Sequence, residues 1–174
     1  MNATVSFDTS PQDVGGNMTL AVIPDVLMET SPLMNATVSL TEKAIDVVVA
    51  VPTVASTGAN VIVAGKAAVD FYNRIARKIK AKSDASSCTP FYGTEYDEGL
   101  YYEGYAYQAT ATGSHCDTTA ILEIVQDAVQ ECATKLHNAG AIRGRCKFSH
   151  GGTWDGQLQL TADPDSFPAT PSTC

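Results

Sequence analysis

All five cysteines, Cys88, Cys116, Cys132, Cys146 and Cys174, lie after position 87 of a 174-residue chain. That placement constrains the fold more than any other feature. It predicts a cross-linked unit in the second half and a first half that must be stabilised by other means. There is no Cys-x-x-Cys pair, which argues against zinc-ribbon and thioredoxin sites. Between the cysteines, Ile121, Val125, Ala128, Cys132 and Leu136 fall on one helical stripe. Glu123 and Asp127 sit early, Lys135 and His137 late, as the helix dipole favours. Asp117 or Thr118 is the expected cap, and Asn138 and Gly140 the expected stop. In such a helix Cys116 and Cys132 stand roughly 24 Å apart along the axis, far beyond disulfide reach. Cys132–Cys146 is then feasible, leaving Cys88–Cys116, with Cys88–Cys132 and Cys88–Cys146 as rivals. Cys174 is expected to be left over, free or paired between molecules.

Strand signals flank that helix. Residues 100–112 alternate, with Tyr101, Glu103, Tyr105 and Tyr107 on one side and Leu100, Tyr102, Gly104 and Ala106 on the other. Residues 143–150 and 153–161 form a second pair around a Gly151-Gly152 turn. Cys146, Phe148 and His150 alternate on one strand, and Trp154, Leu158 and Leu160 on the other. Tyr101, Tyr105, Tyr107 and Trp154 are the candidate surface aromatics, Trp154 also suiting a packing role on the hairpin. The run Tyr96-Asp-Glu-Gly-Leu-Tyr-Tyr-Glu103 offers rings for a sugar or carboxylates for a basic partner, with strand packing the plainer reading. The expected fold is α+β: a disulfide-stabilised two-layer α/β sandwich, helices on one face of a small antiparallel sheet.

The first half reads differently. Residues 1–38 are rich in Pro, Gly, Ser, Thr and Asn and read as irregular, with the hexapeptide Met-Asn-Ala-Thr-Val-Ser at 1–6 and again at 34–39. Three glycosylation sequons begin at Asn2, Asn17 and Asn35. Together with the cysteines they favour a secreted, extracellular protein. Residues 1–30 contain no basic region followed by an apolar run, so export is expected to use a leader outside this sequence or another route.

Residues 39–82 read as a Val/Ala-rich helical segment with a basic end. Ser39-Leu-Thr-Glu42 is a capping-box pattern. Residues 47–65 carry no charge, and at 19 residues they are near the minimum for a membrane-spanning helix. Residues 66–82 read as a basic amphipathic helix bearing Arg74, Arg77, Lys78, Lys80 and Lys82, the candidates for membrane or partner contact. The competing reading is a helical hairpin packed on the domain and bent at Pro52 or Gly58. A third is a pro-segment removed at Arg77-Lys78. The stapled domain spans 83–162, and 163–174 is a Pro-rich tail.

The formal net charge is −8 and the sequence pI about 4.7, which argues against a nucleic-acid partner. His150-Gly151-Gly152 is similar to an esterase oxyanion loop, yet no Gly-x-Ser-x-Gly elbow accompanies it. His115-Cys116-Asp117 places neighbours on opposite sides of an extended chain, which prevents a working dyad. His115, His137 and His150 lack metal-ligand spacing. No catalytic residue, metal or cofactor is therefore expected.

Three stretches carry a family resemblance: Ser83-Asp84 through Cys88, Gly113-Ser-His-Cys-Asp-Thr-Thr-Ala120 and Phe148-Ser-His-Gly-Gly-Thr-Trp-Asp-Gly156. There the chain resembles small fungal secreted proteins, known in yeasts as condition-specific secretion proteins, over about residues 44–161. The resemblance implies a helix pair on a small antiparallel sheet, similar to fungal killer toxins, which act outside the cell on competing strains. It carries no active site to this chain and does not reach residues 1–40. Two non-enzymatic functions follow as expectations. One is a killer-toxin-like effector acting at a target surface or anionic membrane. The other is a non-toxic secreted or wall-associated binding protein with residues 44–82 as core.

Overall fold

The computed structural model describes residues 43–55, 60–111, 116–152 and 154–171. Strand β1 is Asp46–Ala55, helix α1 Val69–Asp84, β2 Phe91–Asp97, β3 Tyr101–Ala111, helix α2 Leu122–Asn138, β4 Ala141–His150 and β5 Trp154–Thr161. The five strands form one antiparallel sheet in the order β1-β4-β5-β3-β2. The protein is thus α+β, a small antiparallel sheet with two α-helices and two disulfides. The sequons at Asn2, Asn17 and Asn35, the capping box at 39–42, Gly58, His115 and Cys174 lie outside the described residues.

The Val/Ala-rich segment departs most from expectation. Its basic end is the expected helix, α1, but its uncharged part is not helical where described: residues 46–55 are an edge strand paired with β4. Ile45 and Val47 are buried, whereas Asp46 and Val48 are exposed, Val48 at 61%. That is the two-residue alternation of a strand. It was hidden because apolar residues occupy both sides. Branched Val side chains, stiff at χ1, favour the pleated backbone. Among the described residues no helix is long and apolar enough to cross a membrane.

β2 was not anticipated. It forms a hairpin with β3, pairing Phe91 with Tyr107 and Asp97 with Tyr101. Gly99 takes φ +75° in the turn, and Leu100 N–H donates to the Asp97 carbonyl at 3.0 Å. The β4–β5 hairpin follows expectation, with Gly151 and Gly152 both at positive φ and Cys146 opposite Leu158.

Helix α2 starts later than expected, so neither Asp117 nor Thr118 caps it; its N-cap is Ile121, without a side-chain bond. Thr118 is used elsewhere. Its N–H donates to Ser83 Oγ at 2.8 Å, tying residues 116–121 to the end of α1.

The core draws on the whole described chain. Phe71, Tyr72, Ile75 and Ile79 come from α1, Val125, Val129 and Leu136 from α2, and Phe148, Trp154, Leu158 and Leu160 from β4 and β5. Gly144 admits Leu136, whose Cδ2 would stand 2.3 Å from any Cβ placed there. The Pro-rich segment is anchored as far as Thr170, whose N–H donates to Gln159 Oε1 at 2.8 Å.

Candidate ligand-binding groove

α1 is amphipathic. Phe71, Tyr72, Ile75, Ala76 and Ile79 are buried at three- and four-residue spacing, which sends Arg74, Arg77, Lys78 and Ala81 outward. The helix ends in a tight turn. Ser86 sits at φ 48°, Ser86 N–H donates to the Ser83 carbonyl at 2.8 Å, and Ser87 N–H to the Lys82 carbonyl at 2.9 Å. The Cys88–Cys116 disulfide pins the segment that follows, with Cα atoms 5.2 Å apart. The chain therefore reverses and brings Phe91 and Tyr92 back beside α1.

Between them lies a groove of about 500 Å³ lined by Lys78, Ala81, Lys82, Ala85, Ser87, Phe91 and Tyr92. Tyr92 is 73% exposed. Phe91 is fixed from beneath by Tyr107, ring centroids 5.2 Å apart. The five basic residues of this helix divide into two groups. Arg74 pairs with Glu95 of β2, Lys80 Nζ meets Asp84 Oδ1 at 2.8 Å, and Lys78 Nζ donates to the Tyr105 hydroxyl. Arg77 and Lys82 form no ion pair among the described residues. A second hollow of about 420 Å³ shares Tyr92 and is lined by Gly93, Thr94, Gly104, Pro164, Pro168, Ala169 and Thr170.

The surface-aromatic assignment requires correction. Tyr105, Tyr107 and Trp154 are buried, and Tyr101 stacks on Phe71 with centroids 5.3 Å apart. Burial raises the Tyr107 hydroxyl well above its ordinary range. β3 alternates as the sequence predicts, but the tyrosine-bearing side is the one that meets α1. The exposed rings are instead Tyr92, Tyr96 and Tyr102. Tyr96 and Tyr102 face each other across β2 and β3 at 6.3 Å.

On that same inward side stands Glu103, 1% exposed. Val63 N–H donates to Oε1, and the Tyr72 hydroxyl lies 2.9 Å from Oε2. Burial pushes the carboxyl up to about 7, although the ionised form can accept from Val63 N–H and from the Tyr72 hydroxyl, which pulls the other way. From the sequence, Glu103 is only one carboxylate of the 96–103 run, available to a basic partner, and not a buried acid. The available signal was one carboxylate in a row of tyrosines.

The two described histidines, His137 and His150, are committed to the fold. His150 Nε2 lies 2.9 Å from the Lys43 carbonyl, which only accepts, so Nε2 carries the hydrogen. Nδ1 lies 3.0 Å from the Thr118 hydroxyl. His137 Nδ1 donates to the Ile62 carbonyl at 2.8 Å. Among the described residues no group of three His, Cys, Asp or Glu side chains is placed to hold a metal.

These features define a disulfide-bonded α+β protein with an amphipathic, lysine-edged groove. Residues 36–168 match the profile of DUF6736, a family of unknown function, and the chain belongs to that family. No curated protein and no solved structure matches the chain.

Proposed function

We propose that this is a secreted or wall-associated, non-enzymatic binding protein that recognises an anionic ligand through the α1–β2 groove. The observation that carries the reading is Lys78 and Lys82 facing Phe91 and Tyr92 across one hollow, on a chain of net charge −8. A local cationic edge on an acidic protein selects anions, and the rings add an apolar contact. Burial of Ile45, Val47, Ile62, Phe71 and Ile75 supports residues 44–82 as core rather than as a lipid-inserting segment. The two disulfides and the sequons at Asn2, Asn17 and Asn35 support export. The packing of Phe71 on Tyr101 and Tyr105, with the Cys132–Cys146 bridge from α2 to β4, supports a two-layer sandwich. The engagement of both His150 nitrogens supports a structural role for that residue.

A killer-toxin-like effector is the second reading. It is favoured by Lys82, which forms no ion pair among the described residues, beside exposed Tyr92, where the anion is a target-cell headgroup. Co-sedimentation and dye release with phosphatidylserine-containing and neutral vesicles test both readings. Binding to anionic vesicles without leakage, weakened about tenfold by Lys82→Glu and by high salt, is expected. Binding with leakage favours the effector. Absence of binding, or binding indifferent to Lys82→Glu, overturns the groove as the recognition site.

A further inference from the structure

The contacts of Glu103 fix its proton inventory. The Tyr72 hydroxyl meets two oxygens, the Val63 carbonyl and Glu103 Oε2. A phenol has one proton to donate. The carbonyl can only accept, so the Tyr72 proton goes to Val63. The remaining contact, 2.9 Å between the Tyr72 oxygen and Oε2, is then a hydrogen bond only if Glu103 supplies the proton. Oε1 is free to accept from Val63 N–H. With a neutral acid, every member of the ring Val63–Tyr72–Glu103 is satisfied. With a carboxylate, one bond is lost and a charge sits in the interior.

The geometry points to Glu103 as a proton-operated latch that, as the neutral acid, locks residues 60–64 against β3 and α1 and, once ionised, releases them to admit water. The release has a defined place. A cleft of about 120 Å³ lies beside Glu103, walled by Asn60, Val61, Val63, Leu100, Tyr101, Tyr102 and Ala162. Asn60, Val61 and Val63 line it from a segment that no helix or strand includes. The other anchors of that segment are the burial of Ile62 in the core, Ile62 N–H to the Ala141 carbonyl at 2.9 Å and the His137 bond to the Ile62 carbonyl. A carboxylate exposed by opening recovers its hydration, which offsets the lost contacts.

The neighbouring groups offer the anion little help. α1 presents Tyr72 and, farther along, Arg74, which β2 already engages through Glu95. β3 presents Tyr101 and Tyr102, and beyond Ala162 the carboxylates Asp163 and Asp165 act on Tyr102. α2 presents His137, which grips Ile62 and keeps its Nδ1 hydrogen whether neutral or charged. Burial holds the Glu103 carboxyl at about 7, in agreement with a neutral acid below that pH. The latch is independent of the groove and of its ligand.

Carbon-detected NMR titration of the Glu103 carboxyl in the full chain, combined with amide exchange at Val63, tests it. Expected are a midpoint near 7 and Val63 exchange, corrected for its intrinsic pH dependence, rising about tenfold between roughly pH 5.5 and 8.5. Glu103→Gln, which donates and accepts at the same positions without titrating, should hold that exchange constant. A midpoint in the ordinary carboxylate range overturns the latch, as does Val63 exchange equally pH-dependent in the wild type and Glu103→Gln. Should Glu103→Gln fail to fold, the wild-type midpoint and exchange profile decide alone.

Discussion

The first half of α1 buries its polar group, whereas the last half displays its own. Tyr72 points inward, where its hydroxyl joins Glu103 and Val63. Lys78 and Lys82, two and three turns later, line a groove open to solvent. Both halves bury apolar residues on the same stripe, so helix formation does not distinguish them. The partner strand does. β3 offers a carboxyl to the first half, whereas β2 stands back from the second with Phe91 and Tyr92. In the interior a single proton carries much of its full electrostatic cost. At the groove, water and salt screen the lysines, so they affect selectivity far more than stability.

The contrast can be broken from either side. Phe71→Ala, which empties the buried first half, should cost about 3–5 kcal/mol in urea unfolding and is the largest expected effect. The pH dependence of stability comes next. The folded state holds the Glu103 proton more tightly than the unfolded chain, its pKa of about 7 lying above the ordinary 4.5. The contribution is therefore fully present below about pH 4.5 and is lost as pH rises through about 7. The difference amounts to roughly 3 kcal/mol, and Glu103→Gln should flatten it in denaturant titrations at several pH values. Replacing Cys88 and Cys116 together by Ser should lower stability by about 3 kcal/mol on loop-entropy grounds. It should also disturb Phe91 and Tyr92 resonances while leaving the Glu103 titration in place. Arg74→Ala, which removes a half-exposed ion pair with Glu95, should cost about 0.2–1 kcal/mol. Lys82→Ala should change stability by less than about 0.5 kcal/mol while weakening anionic binding. Equal stability losses for Lys82→Ala and Phe71→Ala would erase the distinction.

Some of this was legible in the residues. The α2 stripe, the Gly151-Gly152 turn and the alternation of β3 are short-range patterns, and each yielded the right element. The separation of Cys116 from Cys132 along a helix left Cys132–Cys146 and Cys88–Cys116 as a feasible pairing, the one present here. β1 was misread because a run apolar on both sides shows no period by which to tell strand from helix. β2 was missed because Phe91, Gly93 and Glu95 alternate with Tyr92, Thr94 and Tyr96, so neither side is clearly apolar. The groove was half legible: its lysines were singled out, but Phe91 and Tyr92 reach them only through the turn at Ser86 and the Cys88–Cys116 bridge.

The linear chain by itself determined the amphipathic helices, the hairpin turn and the need for covalent staples, because each depends on neighbours a few residues apart. Only the tertiary structure decided which side of β3 would be dark, that Glu103 would keep a proton there, and that Arg77 and Lys82 of α1 would form no ion pair among the described residues. Those outcomes depend on what stands opposite in space, and for Glu103 the decisive groups lie 31 and 40 residues away.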